Sequence, residues 1–107
     1  MSKRIKLGTT LVATLIITVS GTAFAADGAA IYTAKGCAAC HGADAKTPIM
    51  PAYPKIAGQA KEYTYQQMID IKSGARNNGQ TAAMKGIIAG VSDDEIKVLS
   101  EYLETLK

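Results

Sequence analysis

The sequence predicts a small all-α domain. Two stretches carry that reading. Ser92-Asp93-Asp94-Glu95 opens a segment in which Ile96, Leu99, Leu103 and Leu106 recur at helical spacing, with Tyr102 at the edge of the stripe. A second segment, from Gln59 or Ala60 to Ser73, places Tyr65, Met68, Ile69 and Lys72 at helical spacing and stops at Gly74. The third observation is that no run of alternating polarity reads as a strand.

In chain order, residues 1–25 have the three parts of a secretory signal peptide. Lys3, Arg4 and Lys6 are basic, Leu11 to Val19 is an apolar core, and Ala23-Phe24-Ala25 is a small-x-small cleavage site. The apolar core is short for a membrane span, and no second such stretch follows; retention as an N-terminal anchor is the alternative. Cleavage after Ala25 leaves residues 26–107, enough for one domain. It also removes three of the twelve basic residues, so nine Lys and Arg face nine Asp and Glu. The formal charge of +3 belongs to the precursor, and a nucleic-acid interface is not indicated.

Asp27 is the expected N-cap of a first helix through Ala29-Ala30-Ile31-Tyr32-Thr33-Ala34. Gly28 and Tyr32, four apart, share one of its faces. Between the second helix and the last, the Gly- and Asn-rich stretch from Ala75 to Val91 reads as a loop carrying Met84.

Ahead of the second helix stands Cys37-Ala38-Ala39-Cys40-His41. On one helical turn the thiols at i and i+3 lie on the same side, as two thioether bonds to a single porphyrin require, and the adjacent imidazole can ligate iron. The other uses of Cys-x-x-Cys fit less well. A zinc site would need a fourth ligand, but the chain has no other Cys or His. A thiol–disulfide exchange site would call for a strand–helix setting. Covalent haem c attached through Cys37 and Cys40, with its iron on His41, is therefore the expectation. In so small a domain that cofactor would be part of the core.

The chain resembles the class I cytochromes c, in particular the small bacterial periplasmic monohaem members. The resemblance rests on Gly28-x-x-x-Tyr32, on Cys37 to Gly42, on Tyr53-Pro54-Lys55-Ile56-Ala57-Gly58-Gln59, on Met84 in a glycine-containing loop and on Tyr102-Leu103. It implies a cytochrome c fold of three to four helices wrapped around one haem. It further implies that the terminal helices cross at Gly28 against Tyr32 and Tyr102, and that the Pro54 carbonyl accepts a hydrogen bond from His41, with Pro51 as the alternative.

A single histidine excludes bis-histidine ligation within the chain. Met84, ahead of the last helix, is the sixth ligand the resemblance implies, and Met50 is the alternative. A thioether disfavours ferric iron and so raises the potential, while two strong ligands leave no position for oxygen. The resulting expectation is a non-enzymatic one-electron carrier, a periplasmic monomer shuttling between redox partner proteins. An electron-transfer subunit of a larger enzyme, or a haem enzyme or gas sensor with an open distal site, are the alternatives. Lys55, Lys61, Lys72 and Arg76 are candidates for a docking patch, and Gln59, Tyr63, Arg76 and Asn77 for contacts to the propionates.

Overall fold

A computed structural model of the chain describes residues 8–15 and 22–107. Lys3, Arg4, Lys6 and the end of the apolar leader core lie outside the described residues. Gly8 to Leu15 has no regular structure, and Leu11, Val12 and Leu15 are exposed. The rest holds five helices: α1 Thr22–Ala34, α2 Ala38–His41, α3 Lys61–Ser73, α4 Thr81–Ile88 and α5 Asp93–Thr105. There is no strand among the described residues.

The last helix forms as its sequence demands. Ser92 accepts a hydrogen bond from the Glu95 backbone at 3.1 Å, and the Glu95 carboxylate accepts one from the Ser92 N–H at 3.1 Å. Two of the four orphan donors at the helix start are thereby satisfied, and the acids of the first turn face the positive end of the helix dipole. Ile96, Leu99 and Leu103 are buried, each contributing roughly 1.5–3 kcal/mol by leaving water. In α3 the buried stripe is Thr64, Met68 and Ile71, with Tyr65 and Ile69 half-buried beside it. Gly74, at φ +89°, caps α3 by donating to Asp70 O.

Two expectations need correction. Helix α1 starts at Thr22, so Asp27 lies inside it and is not its N-cap. Nothing in Thr22-Ala23-Phe24-Ala25-Ala26 breaks a helix, and alanine is the best helix former. The expected cleavage site therefore lies within a helix of the full-length chain. Second, the stretch from Ala75 to Val91 is not all loop, because Met84 sits in α4. Gly86 costs such a helix about 1 kcal/mol relative to alanine. However, Thr81, Met84 and Ile88 line one face at helical spacing, and α4 packs on α3. An eight-residue helix is held by packing rather than propensity.

The architecture turns on the contact between α1 and α5, with α3 against the other side of α5. At the crossing Gly28 meets Tyr102: a Cβ at position 28 would lie 2.2 Å from Tyr102 Cβ and 2.8 Å from its Cγ. One turn on, the Tyr32 and Tyr102 rings tilt against each other with centroids 6.1 Å apart. The resemblance implied this contact, and here the absent side chain is what lets the helices approach.

The two helical glycines make a matched pair for measurement. Gly28→Ala should lower stability by about 1–3 kcal/mol, because the new methyl cannot be accommodated without separating the helices. Gly86 has no heavy atom within 4 Å of an added Cβ. Gly86→Ala should therefore be neutral or stabilising by up to about 1 kcal/mol. Thermal melts followed by circular dichroism check both.

Candidate haem-binding site

Cys37 precedes α2 in helical conformation, at φ −60° and ψ −38°, so Cys37 to His41 forms one continuous turn. His41 N–H donates to Cys37 O at 3.0 Å. Both cysteine side chains are half-buried and are not joined to each other by a disulfide. Burial raises the Cys37 pKa, with the neighbouring Cys40 adding to the effect. A thiol kept neutral in this way lacks the electropositive setting that activates exchange cysteines.

His41 is buried, and its Nδ1 lies 2.8 Å from the Pro54 carbonyl oxygen. A carbonyl can only accept, so Nδ1 carries the hydrogen and Nε2 keeps its lone pair. That tautomer leaves the outer nitrogen ready to bind a metal, with the ring held in one orientation. Pro54 is itself fixed through the residues that follow it. Ile56 and Ala57 donate to Ala45 O at 3.0 and 3.2 Å, and Gly58 donates to Leu103 O on α5 at 2.8 Å.

The loop after His41 is ordered by Gly42 and Tyr32, which the resemblance included, and by Asp44 and Ala45, which the sequence reading did not single out. Gly42 adopts φ +88°, and an added Cβ would lie 2.2 Å from Thr47 O, so only glycine fits. The Tyr32 hydroxyl donates to Gly42 O at 2.5 Å, tying α1 to the residue next to His41. Asp44 accepts from the Lys46 and Thr47 backbones, both at 2.9 Å, and from the Thr47 hydroxyl at 3.1 Å. These bonds to its charged form, the Lys46 backbone foremost, hold its pKa below the ordinary carboxylate range. Asp44 with Thr47 three residues on is a readable turn signal. Ala45, fully buried at φ +59°, carries no such signal. Cys40 O accepts from Ile49 N at 3.1 Å, bringing the loop back onto α2.

Met84 is half-buried on α4 and packs against the same core as Cys37. Met50 is 45% exposed and Met68 is buried within α3. The helix packing runs α1 on α5, α5 on α3 and α3 on α4, with no comparable contact between α2 and α4. The Thr64 hydroxyl is buried without a hydrogen-bond partner in the polypeptide. A bound group or water would relieve a penalty of roughly 1–3 kcal/mol. Two thiols on one turn and an imidazole whose Nε2 is left as the donor fit haem c. Among the described residues no group of three His, Cys, Asp or Glu side chains is placed to hold a metal ion by itself.

A family model described as cytochrome c matches residues 25–107. The chain belongs to the cytochrome c family. It is 40% identical over 101 residues to cytochrome c4 of Pseudomonas aeruginosa, covering 91% of this chain and 48% of that protein. It is 33% identical to cytochrome c-553 of Nitratidesulfovibrio vulgaris, covering 97% and 99%. A 38% identical protein of Stutzerimonas stutzeri is named thiosulfate dehydrogenase electron acceptor, with 89% and 45% covered. The crystal structure of reduced cytochrome c4 from Pseudomonas stutzeri superposes with a TM-score of 0.71 at 30% identity, covering 81% of this chain and 50% of that one. The chain thus spans about half the length of the cytochrome c4 relatives and nearly all of the c-553 relative. Family membership carries covalent haem c, for which Cys37, Cys40 and His41 present the motif, and it supports electron transfer by a c-type cytochrome.

Of the other sequence candidates, Lys72 is engaged within the chain. Its ammonium donates to Val91 O at 2.7 Å and to Asp93 Oδ1 at 3.0 Å. Arg76 donates to Gln67 Oε1 at 3.1 Å, and Tyr63 is exposed.

Two measurements probe how the loop holds His41. The folded pKa of Asp44 lies below the unfolded value near ~4. Its stabilisation is therefore complete above that pH and fades as pH falls through the folded value. Asp44→Ala should be less stable than wild type at neutral pH and converge with it in acid, as denaturant midpoints across pH would report. Tyr32 has the opposite sign: burial chiefly pushes its pKa up to about 12. Its contribution is intact below the ordinary tyrosine value near ~10 and is lost as pH rises beyond it. Tyr32→Phe should cost about 1 kcal/mol near neutrality and flatten that alkaline loss.

Proposed function

We propose that the chain is a non-enzymatic one-electron carrier, exported to the bacterial periplasm and cleaved after Ala25. Its single haem c is attached through Cys37 and Cys40 and ligated by His41 and Met84. The hydrogen bond between His41 Nδ1 and Pro54 O carries this reading, because it fixes the ring and prepares Nε2 as a metal donor.

When bound, haem supplies an iron that takes up and releases one electron. The remaining work is done by the polypeptide. Pro54 O keeps the imidazole in one tautomer and makes it a better donor. Met84 offers a soft sulfur that favours the reduced state. Ile88, Leu99 and Leu103 keep water from the interior. His41 and Met84 together would leave the metal no position for a substrate, and little would rearrange when its charge changes. No helix among the described residues is long and apolar enough to cross a membrane.

The protein would dock briefly with an electron donor and an acceptor through a small apolar surface rimmed by charge. Exposed Ile49, Met50 and Ile87, with Lys46 and Lys85, are the residues for it. A second reading, a subunit serving one redox enzyme, draws on the relative named as the electron acceptor of a thiosulfate dehydrogenase.

A redox titration of the exported holoprotein with optical readout tests the proposal. The ferric wild type should show the methionine–iron charge-transfer band. Met84→His should abolish it and lower the potential by an appreciable part of the roughly 0.8 V that axial ligands span. An unchanged band and potential would reassign the sixth ligand.

A further inference from the structure

The turn between α4 and α5 is gripped by two lysines from other parts of the chain. Lys35, just past the end of α1, donates from Nζ to Gly90 O at 2.9 Å. Lys72, in the last turn of α3, donates from Nζ to Val91 O at 2.7 Å. The two ammoniums thus take consecutive carbonyls of the same turn. Each also meets an acid of the first turn of α5: Lys35 lies 3.9 Å from Glu95 Oε1, and Lys72 lies 3.0 Å from Asp93 Oδ1. Both side chains are about two-thirds covered.

We propose that Lys35 and Lys72 are positioning residues, clamping the Gly90–Val91 turn and through it holding α4 where Met84 is presented. This rests on the reading of Met84 as the sixth ligand. Helix α4 is too short to persist alone. Its only extensive helix packing is against α3, and beyond its last residue Ile88 the chain has just three residues before the cap of α5. The carbonyls that end such a helix lack intrahelical partners and carry partial negative charge. At the end of α4 the Lys85, Ile87 and Ile88 carbonyls accept from Ala89, Gly90 and Val91, so the two ammoniums act on the next carbonyls, Gly90 O and Val91 O, in the turn itself; a hydrogen bond from a charged donor is roughly twice as strong as a neutral one. The clamp also joins α1, α3 and α5 at one point, so movement of α4 away from the core must break it. The α1–α5 crossing at Gly28 and the His41–Pro54 bond are made by other residues and need not change when it breaks.

The test uses the ferric holoprotein and imidazole as an external ligand, which binds iron only where methionine has left. Lys35→Met and Lys72→Met should each raise the apparent imidazole affinity about tenfold, the population shift that one charge-assisted hydrogen bond supports. The pair should raise it further. The methionine–iron band should be lost at a lower denaturant concentration than helical circular dichroism, with the gap wider than in wild type. Lys72→Arg should restore wild-type affinity. Should the double variant fail to fold, the single variants decide. Folded variants with unchanged imidazole affinity, or with band and helicity lost together as in wild type, would overturn the clamp. Met84→Ala that leaves the band intact would instead overturn the ligand assignment.

Discussion

With no side chain at position 28, α1 and α5 come together closely enough that a methyl there would overlap the first carbons of Tyr102, and the rest of the molecule is referenced to that contact. It sets where Tyr32 lies. Tyr32 is buried against α5 and spends its hydroxyl on Gly42, the residue after His41. A close approach of two helices therefore fixes the direction in which the chain leaves the Cys-x-x-Cys-His turn. Gly42 can accept that direction because its positive φ and its proximity to Thr47 exclude any other residue.

Helix α5 acts on the site through the two residues after Tyr102 as well. Leu103 O accepts from Gly58, and the Glu104 carboxylate accepts from Lys61 N at 2.7 Å. These bonds hold the start of α3 and the segment after Pro54, so the carbonyl facing His41 is placed by a helix roughly fifty residues away in sequence. At the opposite end, the acids that cap α5 meet the lysines gripping the turn after α4. One amphipathic helix thus braces both the segment that orients His41 and the turn that follows α4, which ties a small domain together without a large core.

This rigidity suits electron transfer. A group that changes charge by one unit reacts fastest when its surroundings need not rearrange, and every polar contact around His41 is to backbone or to a loop stapled by Asp44. Neither sign of charge dominates residues 26–107, so association with partners rests on local patches and not on a net field.

The sequence alone determined what is local. The capping box and apolar stripe of α5, the stop of α3 at Gly74, and the thiols and imidazole of one turn depend on residues within a few positions of each other. The pairing of Gly28 with Tyr102 and of His41 with Pro54 was legible through family resemblance. Tertiary structure decided what short-range signals contradict or omit. It made α4 a helix despite Gly86, because burial of Thr81, Met84 and Ile88 outweighs propensity in so short a segment. Asp27 lost its role as a cap because the alanine-rich residues before it extend α1. Lys72 became an internal clamp because Val91 O lies within its reach, and buried Ala45 took a positive φ because its carbonyl must meet both Ile56 and Ala57. Each depends on atoms brought together from distant positions, and a linear pattern holds no record of that proximity.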